Sequence, residues 1–247
     1  MAIPVAPMAL LAADDENGGQ FTMHHVVDTH IRGKALLVVY TNDLVSVERS
    51  IQTMEQFLAE DKYQVVGFDL EYTIGRAGHD QKVAVAQLCV RHDILVYHYH
   101  LATRPCERFS SFINSSDYKF VAVDTTNDLK ALKVSGLKCP NLVNIQDHYK
   151  VWSSTKNKLN SLVDLASTII DLYYMKMKDE SKKDKDTWHN VWHQRLDEEH
   201  VKYTANDAYT SYEMYKRIID MSKCLVHDPA EGSSHRAVAG ASQEVDD

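Results

Sequence analysis

The sequence lacks several features that mark large classes of protein. No apolar run approaches the roughly 18 residues that a membrane-spanning helix requires, so we expect no membrane association. The four cysteines, Cys89, Cys106, Cys139 and Cys224, are far apart and form no Cys-x-x-Cys pair, which argues against a disulfide framework and a structural zinc site. The first residues carry no basic segment of the kind that opens a secretory or organellar signal. We therefore expect an intracellular protein of the nucleus or the cytoplasm.

An excess of basic residues is missing as well. Lysine and arginine number 27 against 35 aspartates and glutamates, which gives a formal net charge of −8. This is the wrong sign for a protein that coats nucleic acid through its overall charge, so any polyanion must be bound at a local site. The composition is otherwise that of an ordinary globular protein, with 44% hydrophobic and 25% charged residues.

The chain is expected to form one folded domain at 23–222. Residues 1–22 and 223–247 are rich in alanine, glycine and serine and show no apolar periodicity, which predicts a flexible leader and a flexible tail. Alternating lysines and acids at 176–190 predict a mobile loop inside the domain.

Apolar patterning within the domain predicts an α/β fold, a mixed β-sheet flanked by helices. Short apolar runs predict strands at 25–31, 35–40, 65–70, 83–90, 94–99, 120–123 and 142–145. Helices are predicted near 105–114, 127–135, 159–175 and 197–221. A further helix follows Thr41 or Asn42, either of which is a suitable N-cap, with one apolar face formed by Leu44, Val47, Ile51, Met54 and Leu58.

Two carboxylates stand at the end of the strand VVGFDLEY. Asp69 and Glu71 are two residues apart, so a continuing strand directs both to one side. Like charges in such a poorly hydrated place need a counter-ion, and a divalent cation bound by oxygen ligands meets that need. The alternative is that the strand ends at Phe68 and that both acids are solvated.

Further acids follow later in the chain. Tyr203 and Asp207 are four residues apart on the last predicted helix and therefore share a face, which points either toward the sheet or toward solvent. Asp128 lies in the first turn of the helix that follows a strand, where the helix dipole favours an anion. Helix capping alone accounts for Asp128 equally well, and Asp124 competes with it for any functional role at this turn.

The ordered set D-x-E, then Asp, then Y-x-x-x-D resembles the DEDDy 3′–5′ exonucleases, in particular the RNase D and Werner-syndrome-type branch with its stand-alone plant members. The matching segments are FDLEY, QKVAVAQLCV at 81–90, NDLKAL at 127–132, LNSLVDLA at 159–166 and YTANDAY at 203–209. The sequence departs from the family pattern at three places. Tyr72 stands where many relatives carry Trp, and Asn206 stands where smaller or β-branched residues are commoner. The usual Pro before the last helix is missing.

The resemblance implies an RNase H-like fold of the DnaQ/RNase D exonuclease type. It further implies that Asp69, Glu71, Asp128 and Asp207 bind two divalent cations, Mg²⁺ or Mn²⁺, and that Tyr203 positions the attacking water. The implied reaction is hydrolysis of DNA or RNA from the 3′ end, releasing nucleoside 5′-monophosphates by a two-metal mechanism.

Contacts to the substrate are predicted for residues that flank these acids or carry nearby positive charge or aromatic surface: Leu70, Tyr72, Lys130, Lys156, Lys158, Trp192 and Arg195. Solvated surface lysines are the alternative for the cations. The histidine pairs at 98/100 and 189/193 have the spacing of zinc ligands, but the sequence places no third ligand. Two other functions stay open, namely a weakly active or inactive exonuclease-like fold that binds nucleic acid or protein, and a phosphodiesterase acting on small nucleotides.

Overall fold

A seven-stranded mixed sheet forms the centre of the protein, which we describe from a computed structural model. The structure describes residues 19–29, 34–73, 80–149, 160–172, 174 and 190–226. Most of the predicted leader and tail, and of the predicted loop at 176–190, therefore lies outside the described residues. None of the helices in the described ranges is long and apolar enough to cross a bilayer.

The strands are β1 (Thr22–Asp28), β2 (Ala35–Thr41), β3 (Val65–Tyr72), β4 (Val83–Val90), β5 (Asp93–Tyr97), β6 (Lys119–Ala122) and β7 (Leu142–Asn144). The helices are α1 (Leu44–Glu60), α2 (Glu107–Ile113), α3 (Thr126–Val134), α4 (Ile145–His148), α5 (Leu162–Ile169) and α6 (Glu198–Val226), with a 3₁₀ turn at Tyr99–Leu101. The sheet order is β1-β2-β5-β4-β3-β6-β7. Neighbouring strands are parallel except at β1, which runs against β2, and at β4, which runs against both β3 and β5.

This architecture confirms the predicted mixed sheet flanked by helices. All seven predicted strands are present, with ends that differ by up to three residues from the predicted ones. The first strand begins at Thr22, and Phe21 before it is buried, so the fold starts slightly inside the segment predicted as the leader. At the other end, α6 continues to Val226.

Helix α1 covers one face of the sheet with the predicted apolar stripe. Its buried side chains are Leu44, Val47, Ile51, Met54 and Leu58. The predicted N-cap was wrong by one or two residues. Asp43 caps the helix, because its carboxylate accepts a hydrogen bond of 2.9 Å from the Ser46 amide. The Thr41 hydroxyl instead accepts from the Asp43 amide at 2.9 Å and thereby fixes the residue that caps the helix.

Two helices differ from the sequence prediction. The predicted helix at 159–175 is shorter at both ends, because Ser161 and Asp164 form a capping box, so that α5 begins at Leu162, and the helix ends at Ile169. The short α4 was not predicted. Asn144 ends β7 and caps α4 by accepting from the Gln146 amide at 3.1 Å, so strand and helix follow one another without a loop.

Helix α6 packs on the opposite face of the sheet from α1, and Gly67 sets how closely it approaches. A Cβ atom on Gly67 would lie 2.2 Å from the carbonyl oxygen of Ala208 and 2.8 Å from Cβ of Tyr212. Since real Cβ atoms essentially never come within 3.0 Å of another heavy atom, α6 can lie this close to β3 only because residue 67 has no side chain.

Candidate active site

The two acids of the first motif lie on the α6 side of β3. The strand runs through to Tyr72, which contradicts the alternative that it ends at Phe68. Because Gly67 faces α6 and side chains alternate along a strand, Asp69 and Glu71 face α6 as well. Both side chains are half-buried.

Strand β3 extends past the end of its neighbour β6. The paired residues end at Gly67 and Val121, so the last part of β3 has β4 alone as a hydrogen-bonded strand neighbour. A bulge between Glu71 and Tyr72 then turns the end of the strand. The chain that leaves β6 enters α3 beside this open edge.

Asp128 is buried at that entrance, with 2% of its surface exposed. The hydroxyl group of Tyr72 donates a hydrogen bond to its carboxylate. The pKa of Asp128 is raised to about 6, chiefly by burial and to a lesser extent by the charge of Asp124, while the hydrogen bond from Tyr72 acts in the opposite direction. The competitor Asp124 is exposed, with its amide bonded to Asn144, and the Thr125 side chain makes no capping hydrogen bond to α3. Asp128 therefore belongs to the buried site and Asp124 does not.

Tyr203 and Asp207 lie one turn apart on α6, as predicted, and both are half-buried. Their side chains lie close enough that each shifts the pKa of the other. The Asp207 charge is the largest cause that raises the pKa of Tyr203, followed by burial. Burial raises the pKa of Asp207 to about 7. The pair thus faces the sheet and not solvent.

Electrostatic coupling shows that the four acids share one site. The pKa of Asp69 is raised well above its usual value by burial and then by the charges of Asp207, Glu71 and Asp128. The pKa of Glu71 is raised by burial and then by Asp207 and Asp128. In the ranges that the structure describes, none of the four forms a salt bridge with a lysine or an arginine. The cluster is therefore a concentration of carboxyl groups from β3, α3 and α6.

The donor chemistry of this cluster suits a hard divalent cation, because all four groups offer carboxylate oxygens and each would gain from a positive charge between them. The side chains are not arranged as a finished ligand set: among the described residues, no three His, Cys, Asp or Glu groups are placed to hold one ion.

The same finding argues against zinc at His98 and His100. His98 is fully buried and its Nδ1 is 2.8 Å from the Tyr40 hydroxyl oxygen, while His189 lies outside the described residues.

Two predicted substrate contacts are corrected by burial. Leu70 is 3% exposed and packs in the core beneath α1, because it points to the face opposite Asp69. Trp192 is 2% exposed, and its ring is stacked with the ring of Tyr203 at a centroid distance of 6.3 Å. Trp192 therefore supports the position of Tyr203 from behind and is not a surface on which a base could stack.

Two other predicted contacts share a cleft whose described lining includes none of the four acids, although Tyr72 itself bonds to Asp128. Tyr72 and Lys130 line a cleft of about 670 Å³ together with Asn127 and Lys133. Arg195 is exposed and lies elsewhere, with its guanidinium 4.8 Å from the centre of the Phe21 ring. The remaining pair, at 156 and 158, lies outside the described residues.

Two features of the site were missed from sequence. Gly67 permits the close approach of α6, and Gln87 is the β4 residue that pairs with Asp69 in the sheet register. Gln87 had a visible signal, since it is the one polar residue in the buried strand VAVAQLCV. Gly67 had a signal too, since a glycine inside a predicted strand such as VVGFDL indicates a close approach of another backbone or a bulge.

The mixed sheet with carboxylates gathered at the carboxyl ends of β3 and β6 defines an RNase H-like nuclease domain. The family model described as 3′–5′ exonuclease matches residues 45–223, and the chain belongs to that family. This match confirms the family predicted from the motifs. A search of curated proteins finds no significant match.

Solved structures with the same fold are distant in sequence. The EXO domain of Aedes aegypti Nibbler is 16% identical, with a TM-score of 0.50 over 72% of this chain and 86% of that one. Trypanosoma brucei RNase D in complex with GMP is 14% identical, with a TM-score of 0.60 over 74% of this chain and 57% of that one. Escherichia coli RNase D, described as an exoribonuclease involved in structured RNA processing, is 14% identical, with a TM-score of 0.52 over 73% and 44%. The chain thus spans about half the length of these RNase D proteins.

Proposed function

We propose that this protein is an active exonuclease that hydrolyses nucleic acid from the 3′ end and releases nucleoside 5′-monophosphates. One observation carries the proposal. Four carboxylates from three separate elements meet at one edge of the sheet, where Asp207 and Asp128 raise the pKa of Asp69 and Glu71, and all four lie inside the segment that matches the family. Carboxyl groups kept together with no basic partner among the described residues suit a site that works with bound cations.

Asp69, Glu71, Asp128 and Asp207 would hold two divalent cations, Mg²⁺ or Mn²⁺. Such ions supply positive charge to the scissile phosphate and make water a better nucleophile at neutral pH. The phenol of Tyr203 would orient the attacking water, and the nearby Asp207 carboxylate together with the stacked Trp192 ring would fix the direction of the hydroxyl group. Glu71 accepts a hydrogen bond from the same water and from the terminal sugar.

The proposed substrate is the 3′ end of a DNA or RNA strand. Lys130 at the cleft beside Tyr72 would contact the phosphate backbone, which suits an acidic protein that binds its polyanion locally. Trypanosoma brucei RNase D has been solved with RNA U12, which supports including RNA among the substrates tested. The buried thiols Cys89, Cys106 and Cys139 are free, which supports the proposed location inside the cell, in the nucleus or the cytoplasm.

A second candidate function is a nucleic-acid- or protein-binding module without turnover. The observation that favours it is the absence, among the described residues, of three acidic or other ligating side chains placed around one ion. This candidate requires that the carboxylates stay apart when Mn²⁺ is added, whereas the proposed enzyme requires that they close on the ion.

The two candidates are separated by an assay of 5′-labelled single-stranded RNA, single-stranded DNA and 3′-recessed duplex in Mg²⁺ and in Mn²⁺. The wild type is expected to produce a ladder of shortened strands and 5′-monophosphates, and Asp69→Asn with Glu71→Gln is expected to abolish both. Asp124→Asn is the matched control, because it removes an exposed acid next to the site and should retain activity. Folded wild-type protein that binds strands but never shortens them would support the binding module, and activity in the double variant would overturn the site.

A further inference from the structure

Gln87 is a fully buried polar residue on the floor of the candidate site. It lies in the middle of β4, which is buried along its whole length. In the sheet register Gln87 pairs with Asp69 on β3 and with Val96 on β5. Directly paired side chains on antiparallel strands point to the same face, with Cβ atoms roughly 4.5–5.5 Å apart, so the Gln87 side chain lies beside that of Asp69 on the α6 side.

The carboxamide of Gln87 makes no hydrogen bond to any residue in the described ranges. Its Nε2 and its Oε1 are both inaccessible to solvent and unpaired within the part of the chain that the structure describes. An unpaired polar group is costly inside a protein, and an apolar side chain of the same shape would remove that cost. Burial alone therefore gives no reason for an amide at this position, where a methionine or a leucine would pack as well.

Asp69 is the natural partner for this amide. Of the two residues that flank Gln87 across the sheet, Val96 is apolar and Asp69 carries a carboxylate. Glutamine has a longer side chain than aspartate, so a change of side-chain rotamer brings Nε2 within reach of the carboxylate without any movement of the strands. A neutral N–H donor suits this place, because a lysine there would compete with a metal ion for Asp69.

We propose that Gln87 is a positioning residue for Asp69, whose carboxylate accepts a hydrogen bond from Nε2 of Gln87 when it binds a divalent cation. The amide would engage one carboxylate oxygen and leave the other free for the ion, so that the amide selects the orientation of Asp69. The inference rests on the proposed function, because it assigns Asp69 to a cation site. It extends that function to a residue that lies outside the acidic motifs.

The test compares Gln87→Met and Gln87→Leu with the wild type by Mn²⁺ titration calorimetry and by thermal unfolding in EDTA. We expect the Mn²⁺ dissociation constant to rise about tenfold, as for the loss of one hydrogen bond to a charged group. The unfolding temperature in EDTA should stay the same or rise, because two unpaired buried atoms are removed. Two variants are used so that poor packing of one side chain does not decide the result.

Tyr97→Phe is the matched control. The Tyr97 hydroxyl is also buried and unpaired within the described ranges, but it lies in the core on the α1 side of the sheet, where Tyr97 packs on Phe109. Its removal should affect unfolding as the Gln87 variants do and leave Mn²⁺ binding unchanged.

Several results would overturn the inference. Gln87→Met protein that binds Mn²⁺ as tightly as the wild type would show that the amide does not orient Asp69. A lower unfolding temperature with unchanged Mn²⁺ affinity would show that the amide has a purely structural role. Failure of the proposed function looks different: the wild type itself would then bind no Mn²⁺, or would bind it equally well after Asp69→Asn.

Discussion

Replacing Gly67 with alanine tests whether the approach of α6 to β3 assembles the site. The added Cβ would lie 2.2 Å from the Ala208 carbonyl oxygen, and this oxygen belongs to the backbone of the residue directly after Asp207. Backbone atoms cannot rotate away as a side chain can. To restore an ordinary contact, α6 has to retreat from the sheet by roughly 1 Å, and Asp207 has to move with it.

Both stability and activity should fall. Overpacking in a core of this kind costs about 1–3 kcal/mol, and for a domain of this size each kcal/mol lowers the unfolding temperature by about 2–4 °C. A displacement of about 1 Å in a catalytic group lowers the rate by about a hundredfold. We therefore expect Gly67→Ala to unfold several degrees earlier and to lose most of its exonuclease activity at temperatures where it is still folded.

The measurement combines urea unfolding with strand shortening at saturating Mn²⁺, and Gly136→Ala is the control. Gly136 has φ +72° and nothing within 4 Å of a new Cβ, so alanine there strains the backbone by about 1–2 kcal/mol without steric overlap. It lies beyond the far end of α3 from Asp128. Equal activity of the two variants at matched fractions of folded protein would refute the claim that Gly67 positions Asp207.

Two further predictions concern charge. Burial raises the pKa of Asp128 to about 6 and that of Asp207 to about 7, so the folded chain retains protons that the unfolded chain releases near pH 4. Stability in EDTA should therefore fall as the pH rises from about 4 to about 7, and Asp207→Asn should flatten this dependence in thermal unfolding; an unchanged slope would contradict it. Lys130→Ala should raise the KM for an oligonucleotide about threefold and reduce its salt dependence, whereas Lys119→Ala, at the amino end of β6, should change neither.

The parts of the fold that were predictable follow from short-range periodicity. The apolar runs of the strands and the apolar stripe of α1 can be recognised from stretches of about ten residues. The structure buries the five α1 side chains that this periodicity predicts. The same periodicity placed Asp69 with Glu71 and Tyr203 with Asp207, because two residues in a strand and four in a helix define one face. That these two faces meet came from the family resemblance and not from the pattern.

The parts that were not predictable depend on distances between elements. Leu70 lies between the two acids of the first motif and Trp192 lies in the stretch before the last helix, which suggested contact with substrate, but tertiary packing buries both. Asp43 caps α1 because the Thr41 hydroxyl already accepts a hydrogen bond from the Asp43 amide. Composition does not indicate which of several neighbouring hydrogen-bonding residues caps a helix. Gly67 illustrates the limit most clearly, since its role exists only through a carbonyl more than 140 residues away in the sequence.

Gln87 and Gly67 lie on neighbouring strands, so the pair β3 and β4 shapes the site from the side of the sheet. Gly67 pairs with Cys89 and Asp69 pairs with Gln87, so the two positions are successive steps along the α6 face of β3 and β4. At the first position, the missing side chain of Gly67 lets α6 approach the sheet. At the second position, the Gln87 amide lies beside the Asp69 carboxylate, which α6 must approach. Because α6 carries Tyr203 and Asp207 on the face that then contacts these strands, the spacing between helix and sheet sets the spacing between carboxylates. The metal affinity of the site should therefore respond to packing at Gly67 as well as to hydrogen bonding at Gln87, two perturbations that leave every acidic residue in place.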